Sequence, residues 1–201
     1  MSKQKIASDQ SEEHQETRAR IIAAAYKVLA EKGYEATTLR EISREAQAAP
    51  GLVHYYFGGK DQLLVEVLQA AGRRFTRATE QLAQQRPTDQ FIEAALTQPL
   101  ERVYQEPEWY RLRYELFSLG LHNPTIAPGM RDLLAQGRQD VGKAVARAET
   151  RAPIESTTLA AILLAVFDGL ALQKIIDPDF DIEASYRLLT RMLDCLLRDG
   201  S

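Results

Sequence analysis

The chain has few of the residues that form covalent staples and metal centres. Of 201 residues, one is cysteine and three are histidine. Cys195 alone cannot close an internal disulfide, so the expected setting is a reducing cytoplasm, with the thiol acting as a small apolar residue of the last helix. His14, His54 and His122 are scattered, and no His-Glu-x-x-His spacing occurs. Without a convergent catalytic set, the expectation is no enzyme, no catalytic residue, no metal and no cofactor. Period-two alternation is missing, which excludes half-buried strands. The longest apolar run, Leu159 to Leu172, contains Asp168 and is too short to span a bilayer. The first fifteen residues are polar and lack an apolar core, so neither a signal peptide nor a membrane partner is expected. Charge of one sign is lacking too. The formal net charge is −3, and residues 1–60 carry nine Lys and Arg against eight Asp and Glu. Any attraction to nucleic acid must therefore come from local placement rather than a global field.

The sequence does have helical periodicity from end to end and enough apolar residues, 45%, for a core. Ile21, Ile22, Ala25, Val28 and Leu29 make one stripe of a helix from about Glu12 to Lys32, stopped by Gly33. Asp61 to about Gln85 reads as a long connecting helix ended by Arg86-Pro87. A helix from Thr88 follows, kinked or divided at Pro99. Pro107 opens a helix rich in aromatic rings, which Asn123-Pro124 closes. Ala127 to about Thr150 is the next, broken by Ala152-Pro153. Glu155 to Ile176 is strongly apolar, and Asp181 caps a last helix ending near Arg198. The fold class is all-α, with nine or ten helices and no repeats.

The most informative stretch is TTLREISREAQAAPGLVHYYFGGKDQLL, Thr37 to Leu64. Thr38 suits an N-cap and Glu41 completes a capping box. Leu39, Ile42 and Ala46 form the inner stripe of a short helix, and Gln47 to Ala49 form a turn. Pro50 fits the first turn of a second short helix, which Gly58-Gly59 ends. His54, Tyr55, Tyr56 and Phe57 are consecutive, so about 100° separates each from the next on a helix and they cannot all enter one core. Val53, Tyr56 and Phe57 can face inward, with Leu52, His54 and Tyr55 turned the other way. This is the sequence form of a helix-turn-helix, and rings beside Lys60 and a helix N-terminus suit a phosphate backbone.

Together with Arg18, the Ile21-Ile22 pair, Ala25 and Gly33-Tyr34, this stretch resembles the N-terminal domain of the TetR family of transcriptional regulators. The C-terminal order of helices resembles that family's ligand-binding and dimerisation domain, and DGLALQKIIDPDFD is similar to the branch that includes the repressor of the choline–betaine pathway. The resemblance implies a tail at residues 1–11, expected to be disordered, a helix-turn-helix DNA-binding domain over 12–60 and a ligand-binding and dimerisation domain over 61–201. It also implies a repressor that binds a pseudopalindromic double-stranded operator as a homodimer and is released by a small organic effector. Carried across residue by residue, the DNA-facing set is Arg18, Thr38, Arg40, Ala49, Pro50, Gly51, Leu52, His54, Tyr55 and Lys60. Thr38 can cap, touch phosphate, or do both. Arg40 can read a base or pair with Glu41 or Glu45, and Arg18 can reach phosphate or remain solvated. Where many relatives have Ser or Lys before the glycine and Thr or Ser after it, this chain has Ala49-Pro50-Gly51-Leu52, which loses side-chain hydrogen bonds and leaves Ala49 and Leu52 able to touch thymine methyls.

For the effector, Tyr104, Trp109, Tyr110, Arg113, Tyr114 and Phe117 are concentrated in mid-domain and can be ordinary core or a ligand lining. Phe167 and Asp168 join them because an acid in an apolar helix is costly to bury alone. Asp168 can bond Arg113 or His122, or face a cation, whereas Arg111 and Arg113 suit an anion. The homodimer is expected through 155–176 and 181–198, using Leu159, Leu163, Val166 and Leu170 together with Leu189, Met192, Leu193 and Leu196. The alternative is a helical protein-interaction module on the same fold without specific DNA binding.

Overall fold

The structure, a computed structural model, describes the backbone of residues 2–84, 91–147 and 155–198 and the side chains of 12–73, 76–77, 96–146 and 155–196. Among the described residues there are nine α-helices and no strand: α1 (Ser2–Ala36), α2 (Leu39–Glu45), α3 (Pro50–Phe57), α4 (Lys60–Gln84), α5 (Phe91–Gln105), α6 (Pro107–His122), α7 (Ala127–Arg147), α8 (Ser156–Ile176) and α9 (Ile182–Arg198). The expected breaks at Arg86-Pro87 and Ala152-Pro153 lie outside the described residues.

Local chemistry sets the short elements. Helical geometry in α1 is interrupted at Gly33, at φ 75°, where a residue without Cβ is at ease. The helix starts at Ser2 rather than near Glu12, so it takes in the segment expected to be a disordered tail. Thr38 caps α2 in a complete capping box with Glu41. Pro50 opens α3, and Gly58 closes it in the left-handed region at φ 69°, its N–H donating to the His54 carbonyl at 2.8 Å. The turn between α2 and α3 holds Gln47 at φ 51°. A residue with a Cβ costs about 1–2 kcal/mol there, and the side chain is exposed, so its loss removes no packing. Gln47→Gly is therefore expected to raise stability by about 0.5–1 kcal/mol after allowing for glycine's freer unfolded chain, as denaturant titration would show. An unchanged or lower midpoint would show that the turn is not strained.

The helices pack as two compact units, residues 1–71 with 112–130, and residues 72–111 with 131–201. The first holds α1 to α3, the start of α4 and most of α6. Its core is built on Ile21, Ala25, Leu29, Ile42, Val53, Phe57, Leu64 and Leu116, all buried. The boundary drawn at Lys60 thus follows chain order rather than packing. In the second unit α5 packs against α8 and α9, and α8 against α9. Pro99 lies inside α5, which continues through it as one helix, with its carbonyl accepting from Tyr110 Oη at 3.5 Å. Asp181 caps α9 as expected, accepting the Ala184 N–H at 2.8 Å.

Two expectations about the last helices change. Leu159, Leu163 and Leu193, expected at a partner surface, are buried inside the unit. Met192 and Leu196, from the same expected set, are exposed, and Ile162, Leu172 and Ile176 of α8 and Leu188 of α9 make up the rest of the exposed strip. Both faces of α8 are apolar, so periodicity alone could not tell the face meeting α5 from the face left outside. Cys195 is exposed, beside Met192 and Leu196 on the helix, instead of acting as a core residue. At 21 residues, α8 as a whole meets the length and apolarity of a bilayer span, although its longest uncharged run does not.

Candidate nucleic-acid interface

Thr38 Oγ1 accepts the Glu41 N–H at 3.3 Å, and Glu41 Oε2 accepts the Thr38 N–H at 3.1 Å. Lys32 Nζ donates to the other Glu41 oxygen at 2.5 Å. The Lys32 ammonium, with help from the Thr38 bonds, holds the Glu41 carboxyl down at about 2. A depressed carboxylate stabilises the fold above its unfolded value, near 4.5, and that contribution disappears as pH falls through about 2. Carbon-detected titration of Glu41 should therefore show a midpoint near 2, and Thr38→Ala should move it upward. A normal midpoint in the parent protein would show that the capping box does not hold its charge.

Glu41 and Glu45, the candidate partners of Arg40, are taken by Lys32 and by Lys27, the latter at 2.6 Å. Arg40 stands exposed in the first turn of α2. On α3, Val53 and Phe57 are buried while Ala49, Pro50, Gly51, Leu52, His54 and Tyr55 are exposed, Tyr55 at 72%. Ala49 offers no side-chain cap, so the N-terminus of α3 keeps its positive end for an anion. Nothing lies within 4 Å of a Cβ placed on Gly51, leaving room for a close backbone approach. Tyr56, expected in the core, is half-buried. Its ring meets Tyr55 edge-on at 5.2 Å and His14 of α1 at 6.0 Å.

Two expected contact residues are engaged with protein groups. Arg18 Nη2 bonds Glu66 Oε2 at 2.5 Å, with its guanidinium 5.3 Å from the centre of the Phe57 ring. Lys60 Nζ donates to the carbonyls of Thr37 at 2.7 Å and Glu35 at 3.4 Å and lies 4.1 Å over the Tyr34 ring. Sequence reasoning missed His14 and Arg20, whose Nε donates to the Ala46 carbonyl at the end of α2 at 3.0 Å. It also missed the left-handed Gln47. Only the tight three-residue turn hinted at the last.

The expected effector residues divide between the units. In the second, Trp109 and Tyr110 are core residues, with the Arg102 guanidinium 3.7 Å over Trp109. Tyr104 is exposed, its hydroxyl bonded to Glu183. Loss of solvent around Tyr104, followed by the Glu183 carboxylate, pushes it up to about 12. Phe167 stacks on Tyr186 with the ring planes 2° apart. Asp168 is half-buried, and the space beside Gly169 is open rather than filled by a neighbouring helix. In the first unit, Arg113 is buried with its guanidinium 4.5 Å over Phe117, while Tyr114 and Phe117 are half-buried. Arg111 is exposed and Arg113 buried, so the two do not form one anion clamp.

Residues 21–67 match the family described as bacterial regulatory proteins, tetR family. Residues 87–198, more than half the chain, match the BetI-type transcriptional repressor C-terminal family. The transcriptional regulator HbdR of Aromatoleum sp. (strain CIB) is 46% identical over 55 residues, 27% of this chain and 24% of that one. The regulator BetI of Rhizobium meliloti (strain 1021) is 40% identical over 53 residues, 26% of each. The matches thus span about a quarter of these relatives' length. A solved structure of a Saccharomonospora viridis transcriptional regulator in complex with choline shares the fold. Its TM-score is 0.71 and its identity 17%, with 90% of this chain and 96% of that one covered. A tetR-type DNA-binding segment followed by a BetI-type C-terminal region places this chain in the TetR family of transcriptional regulators.

Proposed function

We propose that the protein is a dimeric repressor that binds a pseudopalindromic operator and is released by a small organic effector. The observation that carries the DNA reading is the exposed side of α3. There, residues 49–52, His54 and Tyr55 surround an uncapped helix N-terminus, beside an Arg40 whose neighbouring acids are already paired. Arg40 would read a base edge, the apolar Ala49 and Leu52 would meet thymine methyls, and Thr38 would touch phosphate while capping α2. An ammonium has three donors, so Lys60 can hold the corner after α1 and still give one to a phosphate. Arg18 serves better as the brace between α1, α3 and α4 than as a contact. The exposed strip of α8 and α9 supports a homodimer. For the effector, half-buried Asp168 and the open space at Gly169 in an aromatic-rich unit favour an organic cation, in keeping with the choline-bound relative.

The test is selection of duplexes from a randomised pool by the full chain. A two-half-site sequence is expected, with half-site centres about 34–36 Å apart or a multiple of this. Arg40→Ala should weaken binding and relax preference at one position per half-site, by about 1–3 kcal/mol. Selection of no sequence at all would favour the protein-interaction reading. Operator affinity unchanged at saturating choline would remove choline as the effector.

A further inference from the structure

Tyr34 stands at the corner between α1 and α2, and groups from two other helices close on it. Its backbone N–H, freed from the α-helical ladder by the break at Gly33, donates to Glu115 Oε2 of α6 at 3.0 Å. The other oxygen of that carboxylate lies 3.2 Å from where a Cβ on Gly33 would sit, so it occupies space the glycine leaves. The Tyr34 hydroxyl donates to Asp61 Oδ1 in the first turn of α4. Asp61 Oδ2 accepts from Asn123 Nδ2, just past the end of α6, at 3.1 Å. The Asn123 amide is itself oriented, because its Oδ1 accepts the Thr125 N–H at 2.9 Å. Lys60 over the Tyr34 ring completes the corner.

Glu115 and Asn123 therefore grip both segments that flank the α2–α3 pair: the end of α1 and the start of α4. Neither is suited to touch DNA. A carboxylate repels phosphate, and the Asn123 amide is already bonded on both its oxygen and its nitrogen. A carboxylate acceptor strengthens a hydrogen bond, and both anchors have one: Glu115 accepts the Tyr34 backbone N–H, and Asp61 accepts from the Asn123 side-chain amide. Two anchors from one segment constrain angle as well as distance.

We propose that Glu115 and Asn123 are positioning residues for operator recognition, setting the pitch at which α3 is presented. This rests on the DNA-binding reading above. A dimer reads two half-sites at a fixed separation, so a loosened corner lets each α3 rock and broadens the range of separations accepted.

The experiment starts from the duplex selected by the parent protein and adds or removes one base pair at its centre. Full-length parent, Glu115→Ala, Glu115→Gln and Asn123→Ala are titrated on each duplex, and their thermal midpoints are recorded. The parent should lose about tenfold or more in affinity for each base pair of change, since each one rotates and displaces a half-site. Glu115→Ala should bind the original spacing about tenfold more weakly, with its preference among spacings reduced to about threefold or less and its salt dependence unchanged. Asn123→Ala should shift in the same direction. Glu115→Gln keeps a carbonyl that can accept the Tyr34 N–H and should stay close to the parent. A Glu115→Ala protein with the parent's spacing profile would overturn the proposal. So would a uniform loss at all spacings accompanied by a lower midpoint, which would mean only less folded protein. A parent chain that selects no duplex would instead defeat the DNA-binding reading on which the proposal rests.

Discussion

Replacing Leu188 and Met192 together by aspartate is expected to leave a folded monomer that no longer binds its operator. Both side chains are more than half exposed on α9, so the charges meet water and the fold of the unit survives. In the proposed homodimer the same side chains lose their remaining exposure. Four of them are replaced per dimer, and full burial of one such side chain contributes roughly 1.5–3 kcal/mol. With 56% and 60% of their surface left to bury, the four contribute about 3.5–7 kcal/mol. That is comparable to the ~4 kcal/mol that separates a nanomolar from a micromolar dimer, and the cost of desolvating four carboxylates adds to it. Light scattering and analytical ultracentrifugation should show the parent as a dimer and the variant as a monomer with unchanged circular dichroism. Operator binding should fall with dimerisation, because one half-site alone supplies only half the contacts. A parent chain that is monomeric at micromolar concentration would sink the idea. The exposed strip of α8 and α9 would then need another partner.

Phe57→Ala is the second large effect. The ring is buried, lies under the Arg18 guanidinium and packs beside Tyr56 at 6.2 Å. Truncating a buried phenylalanine costs about 3–5 kcal/mol. An eight-residue helix cannot stand without tertiary support, so the loss should fall on α3 itself. A sharply lower thermal midpoint and loss of operator binding are expected together. Tyr55→Ala on the same helix provides the contrast. Its ring is 72% exposed, so stability should move by no more than about 0.5 kcal/mol while DNA affinity drops. Equal destabilisation by the two variants would show that α3 is not held by the face carrying Val53 and Phe57.

Much of the first unit could be read directly from the chain. The Thr38–Glu41 capping box, Pro50 at the first turn and the Gly58 stop each depend on a few neighbouring residues, and all are present in the structure, while Gly33 breaks the helical geometry of α1, which continues to Ala36. The inward and outward sides of α3 were legible for Val53, Phe57, Leu52, His54 and Tyr55, because those positions alternate around one short helix. Tyr56 was less legible, because its ring meets His14, forty-two positions earlier on a helix that begins before Glu12.

By itself, then, the sequence determined what local rules govern: the all-α class, the helix-turn-helix and its caps, and the family kinship carried by an ordered set of residues. The tertiary structure decided which polar groups are free. Arg18 and Lys60 look alike in sequence as cations near a DNA-binding helix, yet one is drawn to Glu66 and the other to the carbonyls of Glu35 and Thr37. Arg40 remains exposed, while the nearby acids Glu41 and Glu45 are paired with Lys32 and Lys27. The Tyr34 corner joins residues up to 81 positions apart, a separation no periodicity reports. The same holds for α8. Its composition is apolar on all sides, and only packing within its unit separates the buried Leu159 and Leu163 from the exposed Ile162 and Ile176. Hydrophobic burial is non-directional, so a helix with two apolar faces does not choose its inner one until the rest of the chain has folded against it.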